Sequence, residues 1–145
     1  MAVRVQTDDF DVGLEYQRLR DLDSGAVVTF TGCVRAEGDL KALYLEHYPG
    51  MTEKSLQAIV DEAKQRWSIS EVTLVHRVGE MAVGEQIVFV GVASGHRSEA
   101  FFACEFIMDY LKTRAPFWKK ALSEKGDCWV EAKESDQQQA ARWYS

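Results

Sequence analysis

Basic side chains stand at both ends of one apolar segment of this sequence. His96 and Arg97 precede the segment and follow the dipeptide Ser94-Gly95. Beyond the segment, residues 112–120 contain four basic residues and no acidic one, although the chain's net charge is -6. These four are Lys112, Arg114, Lys119 and Lys120. The local reversal of sign predicts a pocket for a small anion.

The segment between the two basic groups has the pattern of a long helix. From Phe101 to Leu111 only Glu105 and Asp109 are polar, so we expect a helix that is buried on most of its circumference. Pro116 has no amide donor and disfavours helical geometry in the residue before it, so the helix should end there.

The length of this helix limits where its ligand can bind. Fifteen residues separate Arg97 from Lys112, and a continuous helix of that length spans about 22 Å. The two basic groups therefore cannot hold one small ligand within a single chain. If both bind it, they come from two subunits. We accordingly predict a homodimer whose active site is shared across the interface.

The residues at the helix start have two interpretations. A helix N-terminus offers unpaired amides and a positive dipole, and Arg97 can bind a phosphate through two hydrogen bonds. In the alternative, His96 and Arg97 are solvated loop residues. The glycine and lysine spacing of a P-loop is absent.

The residues beyond the helix also have two interpretations. Lys112 and Arg114 complement the dipole of the last turn. Lys119 and Lys120 fall in a predicted strand, where consecutive side chains face opposite sides, so only one can point into a given pocket. We predict that Lys119 points inward, where desolvation suits it to proton transfer or covalent chemistry, and that Lys120 lies at the rim. An edge-strand lysine that prevents aggregation is the alternative.

Composition limits the classes of function. With 145 residues, 46% of them hydrophobic, the chain is predicted to form one globular domain, residues 1–145, with a polar tail at 136–145. The acidic balance disfavours nucleic acid or an anionic membrane as partner. Without a recognisable secretory signal or a long apolar run, a cytoplasmic protein is expected. Cys33, Cys104 and Cys128 lack metal-site or disulfide spacing, and we predict no metal and no cofactor.

The order of predicted elements favours the α+β class, because strands and helices do not alternate strictly. We expect two helices capped by Asp11 and Thr52, and the first should make apolar contacts through Leu14 and Leu19. We expect His47 and His76 to be structural residues of strands. The 37–39 segment should be a polar turn or mobile loop, residues 79–84 a connection, and the tail a short helix or partly disordered. Strands are predicted at 3–6, 26–31, 42–48, 72–78, 86–93 (central in its sheet), 117–122 and 128–133.

Six motifs occur in fixed order between residues 26 and 143. They are T-F-T-G-C-V-R (29–35), L-E-H-Y-P-G-M-T (45–52), H-R-V-G-E (76–80), S-G-H-R-S (94–98), D-Y-L-K-T-R-A-P-F-W-K-K (109–120) and W-V-E-A-K-E-S-D (129–136). Together they resemble the large, catalytic subunit of molybdopterin synthase, the MoaE family. The resemblance implies an α/β-hammerhead fold with an additional antiparallel β subdomain.

The resemblance also implies a reaction and its partners. Members of this family form a homodimer with a small ubiquitin-like, MoaD-like subunit at each end, a heterotetramer. The thiocarboxylated C-terminus of the small subunit enters a pocket and donates sulfur to cyclic pyranopterin monophosphate, and two rounds form the dithiolene of molybdopterin. The implied activity is therefore that of a sulfurtransferase. The nucleophile arrives on the partner, which agrees with the lack of an activated Ser or Cys here.

Matching motif positions implies Lys112 and Lys119 as the catalytic residues. Ala121 stands where the family often has glutamate, so a side-chain contact is lost there, and Cys33 fills a variable position where only its backbone is expected to matter. The implied substrate-binding residues are Cys33, Val34, Arg35, His96, Arg97, Lys112, Lys119, Lys120, Ala121 and Lys133. Two other functions fit the same sequence: a non-catalytic module that binds a phosphorylated metabolite, and a sulfur carrier that works through Cys33.

Overall fold

The structure is a computed structural model that describes residues 3–20, 23–131 and 134–144. Its strands and helices are mixed along the chain without strict alternation, which confirms the predicted α+β class. In chain order the elements are β1 (Val3–Gln6), α1 (Val12–Leu19), β2 (Ala26–Cys33), β3 (Leu40–His47), α2 (Met51–Arg66), β4 (Glu71–Arg77), β5 (Gly79–Ala82), β6 (Gln86–Ser94), α3 (Arg97–Arg114), β7 (Phe117–Ser123), β8 (Gly126–Val130) and α4 (Glu134–Ala141).

The first sheet has the strand order β1-β4-β6-β2, with β1 parallel to β4 and the other pairs antiparallel. Strand β6 is interior and almost wholly buried, as its apolar run predicts. Helices α2 and α3 pack on one face, where Leu56 and Phe106 are fully buried, whereas α1 covers the other face through Leu19.

The second sheet has the order β5-β3-β7-β8, and all its pairs are antiparallel. Its small apolar core consists of Val34, Leu43, Leu45 and Met81. This sheet fits the additional antiparallel subdomain that the family resemblance implies.

Strand β5 contradicts the expectation that residues 79–84 form a connection. Gly79 has φ +89°, which is open to glycine at little cost. The chain turns there, leaves the first sheet after Arg77 and pairs with β3 in the second sheet, where Gly79 lies opposite Leu45. A strand of four residues that contains glycine has too little pattern to be recognised in sequence.

The predicted cap at Thr52 is also wrong, because α2 begins at Met51 and its N-cap is Gly50, two residues before Thr52. Glu53 accepts a hydrogen bond from the Gly50 amide at 2.9 Å. Thr52 is buried; its hydroxyl accepts from the Tyr48 amide and donates to the Pro116 carbonyl at 3.0 Å. It therefore ties the start of α2 to the start of β7. The predicted cap at Asp11 is confirmed by the Leu14 amide, although the Leu14 side chain is exposed.

Helix α3 is continuous over 18 residues and ends before Pro116 as predicted, but it is less buried than expected. Phe101 and Phe102 are 57% and 48% exposed, so only one face of its first half lies in the core. None of the helices in the described residues is both long and apolar enough to cross a membrane.

The tail packs against α3 rather than remaining free in the described residues. Asp109 accepts hydrogen bonds from Arg142 and from the Trp143 indole, at 2.8 and 2.6 Å. The Trp143 ring lies 5.6 Å from Trp67 and 5.7 Å from Phe106, edge-on to both. These contacts hold α4 and confirm the helix alternative for the tail.

The packing of α1 on the first sheet requires a residue without a Cβ atom at position 91, which is Gly91. A Cβ atom there would overlap the Leu19 side chain, whereas nothing lies within 4 Å of a Cβ built on Gly95. We expect Gly91→Ala to lower the free energy of unfolding by about 1–3 kcal/mol, the usual cost of overpacking. Chemical denaturation measures it, with Gly95→Ala as control. Equal stability of the two variants would show that Leu19 relaxes freely.

Candidate functional site

A cavity of about 780 Å³ lies where the two sheets and the end of α3 meet. The first sheet contributes Gly32, His76 and Val88, and the second contributes every second residue of β7. Five residues of the predicted site line it: Cys33, Arg35, Lys112, Lys119 and Ala121. The cavity thus brings the end of β2, the last turn of α3 and β7 together.

The alternation of β7 places its two lysines on opposite faces, as predicted. Phe117, Lys119 and Ala121 line the cavity. Lys120 points away, and its ammonium lies 5.4 Å from the centre of the Trp129 ring. Lys112 lines the cavity from α3, so two lysines from different elements line one space.

The segment after β2 is a polar turn that is bonded to the connection between β5 and β6. The buried Val34 donates its amide to Glu85 at 2.9 Å and accepts from the Gly84 amide at 2.8 Å. Arg35 is exposed and forms an ion pair with Glu37 at 3.8 Å. Of the two predicted alternatives for 37–39, the turn is correct, since the Leu40 amide bonds the Glu37 carbonyl.

Carboxylates also line the cavity. They are Glu37, Asp39, Glu131 and Asp136, so the described cavity wall is not uniformly basic. Within the described residues no three His, Cys, Asp or Glu side chains are grouped as metal ligands. Cys104 is a core residue, and burial raises the pKa of its thiol to about 12.

The other predicted basic group lies at the opposite end of α3. His96 is the N-cap and Arg97 the first helical residue, and both are exposed. The Ser94 hydroxyl donates to the Ser68 carbonyl at 2.7 Å and accepts from the His96 amide at 3.3 Å, which fixes the turn. Neither His96 nor Arg97 lines the cavity. The helix therefore separates the two groups within one chain, as its length predicts. Lys133 lies outside the described residues.

His76 is a cavity residue that the sequence pattern does not single out. Its ring is buried, its Nδ1 donates to the Arg77 carbonyl at 2.9 Å, and it stacks on Phe117 with the ring centres 4.0 Å apart. The pKa of His76 is lowered to about 4, chiefly by burial and also by the nearby charges of Lys112 and Lys119, against the opposing effect of the Arg77 bond. The imidazole is therefore neutral near pH 7.

The fold and the site define a class of α+β proteins in which two sheets and a helix end enclose a cavity with two lysines. Solved structures with a similar fold include the MoaE protein of Burkholderia ambifaria MC40-6, with a TM-score of 0.86 and 50% identity over 99% of this chain and 98% of that one. Another is the molybdopterin synthase of Staphylococcus aureus, with a TM-score of 0.82 and 32% identity over 88% of this chain and 95% of that one.

Sequence comparison gives the particular family. The MoaE protein profile matches residues 5–114. The molybdopterin synthase catalytic subunit of Escherichia coli K12 is 63% identical over 138 residues, which cover 92% of each chain. This chain belongs to the MoaE family.

The neutral state of His76 predicts a pH dependence of stability. The pKa of His76 is 6.5 in the unfolded chain and about 4 in the folded one. The contribution of the neutral ring to stability is therefore complete above pH 6.5 and is lost as the pH falls from 6.5 to about 4. The loss from about pH 7 to about pH 4 is on the order of 3 kcal/mol. Urea unfolding of the wild type and of His76→Phe measures it. Phe does not titrate, so its curve should be flatter; parallel curves would contradict the assignment.

Proposed function

We propose that this chain is the catalytic subunit of a molybdopterin synthase. It transfers sulfur from the thiocarboxylated C-terminus of a small ubiquitin-like, MoaD-like subunit to cyclic pyranopterin monophosphate. Membership of the MoaE family supports the proposal. The single structural observation that carries it is the pair of lysines, Lys112 and Lys119, which line one cavity from two elements.

The arrangement suits a reaction whose nucleophile arrives on a partner. The terminal sulfur of the small subunit is the nucleophile, so this chain has to admit a chain end, hold an anionic pterin and stabilise the negative charge that develops. Fixed cations in a cavity stabilise such charge more effectively than water does. We assign Lys119 to activating the thiocarboxylate or stabilising its acyl intermediate, and Lys112 to stabilising charge or moving protons.

The remaining predicted residues are assigned to binding. Arg35 reaches the cavity from the turn after β2, and its weak pairing with Glu37 at 3.8 Å leaves it available to a phosphate. Cys33 and Ala121 contribute wall atoms, and the buried Val34 holds the turn in place. Lys120 is assigned to the rim of the substrate site, and Lys133 is assigned to substrate binding.

His96 and Arg97 complete the site from a second copy of the chain. They offer a helix N-terminus, a guanidinium and an imidazole at the end of α3 remote from Lys112. In a homodimer the second copy can supply these groups to the cavity of the first. Each of the two cavities then uses the strand and helix end of one chain and the helix start of its partner.

Removing the Lys119 ammonium should lower turnover by about 10²–10³-fold, the usual effect of losing one stabilising group. The assay mixes the protein with a thiocarboxylated small subunit and the cyclic pterin and measures dithiolene product. Lys125, which lies in the exposed turn between β7 and β8, provides the matched control Lys125→Ala. Full turnover by Lys119→Ala would refute its role.

The same assay separates the other two functions. A non-catalytic module that binds a phosphorylated metabolite retains the pterin but forms no dithiolene with any small subunit. A sulfur carrier that works through Cys33 loses activity in Cys33→Ser. The synthase predicts product formation, and Cys33→Ser should remain close to wild type.

Mixing two inactive variants tests whether the site is shared. Lys119→Ala and Arg97→Ala damage different halves of a shared site, so a mixed dimer contains one intact site. After random re-pairing, about one quarter of wild-type activity should return, since half of the dimers are mixed and each has one working site of two. If both groups act within one chain, the mixture stays as inactive as its components.

A further inference from the structure

His76 connects the two sheets at the point where the lysine strand begins. We propose that His76 is a positioning residue for Lys119: its buried ring, held by the Arg77 carbonyl, stacks on Phe117 and fixes the start of β7. The stack thereby sets the direction from which Lys119 enters the cavity. The effect on kcat rests on the proposed sulfur transfer, but the effect on the position of Lys119 can be tested without turnover.

The ring has a fixed base in the first sheet. His76 pairs with Val5 of β1 and with Val88 of β6, so its backbone lies inside that sheet. A carbonyl oxygen only accepts, so the 2.9 Å contact with Arg77 means that Nδ1 carries the proton and that ring rotation is restricted. His76 is therefore anchored independently of the second sheet.

Phe117 connects the anchored His76 ring to the strand that contains Lys119. The two rings are 4.0 Å apart and inclined by only 20°, a stacked contact. Phe117 is the first residue of β7. Lys119 lies two residues further on, so its side chain is on the same face of the strand as that of Phe117. The Thr52 hydroxyl holds the preceding backbone through the Pro116 carbonyl. The start of β7 is thus fixed on its backbone by Thr52 and on its side chain by His76.

The neutrality of the ring fits this role. Lys112 of α3, Lys119 of β7 and His47 of β3 all oppose its protonation, and burial does so most strongly. A permanently charged side chain here would place a further positive charge beside the two ammonium groups. A flat neutral ring supports the strand without disturbing the electrostatics of the reaction.

Two substitutions distinguish the effect of the stacked ring from the effect of filling the same volume. His76→Leu fills a similar volume without a flat ring, so kcat for dithiolene formation should fall about 10–100-fold, the usual cost of displacing a reacting group, while KM for the pterin changes little. His76→Phe keeps a stacked ring and should restore kcat to within a few-fold of wild type. Wild-type kcat in His76→Leu, or no rescue by His76→Phe, would refute the proposal.

A neighbouring residue supplies the control for stability. Val75 lies beside His76 in β4, is fully buried, and faces Leu19 and Phe89 on the opposite side of the sheet. Val75→Ala should lower the melting temperature without lowering kcat. If it lowers kcat as much as His76→Leu does, the effect of His76 is general destabilisation and the proposal fails.

A double-mutant cycle tests the link to Phe117. If His76 acts through Phe117, then Phe117→Leu alone lowers kcat similarly, and the double variant His76→Leu/Phe117→Leu is no slower than either single variant. Additive losses would show that the two rings act independently, which contradicts the proposal.

A direct measurement of Lys119 distinguishes this inference from the proposed function. An amine-reactive reagent, with peptide mass spectrometry, gives the labelling rate of Lys119 relative to the exposed Lys125. The ratio should change in His76→Leu, return in His76→Phe and stay at the wild-type value in Val75→Ala. An unchanged ratio in His76→Leu overturns the inference even if the wild type makes product. If the wild type makes no product, the proposed function fails, and the labelling ratio still decides whether His76 positions Lys119.

Discussion

The rigidity of α3 is the constraint on which the rest of this structure depends. Its hydrogen bonds run unbroken from Arg97 to Arg114, and its inner face, with Phe106 and Tyr110 fully buried, is fixed against the first sheet. The helix cannot bend to bring its two basic ends together. In the proposed synthase this makes one chain an incomplete enzyme, since its lysines and its helix N-terminus serve different copies of the site.

The cavity exists because the second sheet is held at a defined angle to the first by a few contacts. Gly79 lets the chain pass from one sheet to the other. The Thr52–Pro116 hydrogen bond and the His76–Phe117 stack hold the far side of the junction. Each of these contacts lies within a few residues of a cavity-lining group. The geometry of the site is therefore set by the junction between the sheets rather than by either sheet alone.

The sequence predicted those features that follow from local periodicity. The apolar run of β6, the Asp11 cap and the stop at Pro116 all depend on residues close together in the chain. The opposite facing of Lys119 and Lys120 also required only strand alternation. The family motifs added the identity of the reaction, which no periodicity contains.

The features that the sequence did not predict depend on tertiary contacts. β5 is too short to have a pattern and is a strand only because β3 lies beside it. His76 looks like any buried strand residue, and nothing local indicates that Phe117 of the other sheet will stack on it. Phe101 and Phe102 have apolar side chains, yet about half of each stays exposed in the described structure, although the Phe102 ring stacks on Trp67. Local patterns therefore fixed the elements, whereas the junction that shapes the cavity required the folded chain.

The packing of the C-terminal helix gives this protein an optical signature. The indoles of Trp67 and Trp143 lie 5.6 Å apart at nearly a right angle, close enough for their excited states to couple. Asp136, on the same C-terminal segment, reaches the cavity wall. The contribution of this tryptophan pair to the near-ultraviolet circular dichroism therefore reports, without any added dye, whether the segment that carries Asp136 is in place.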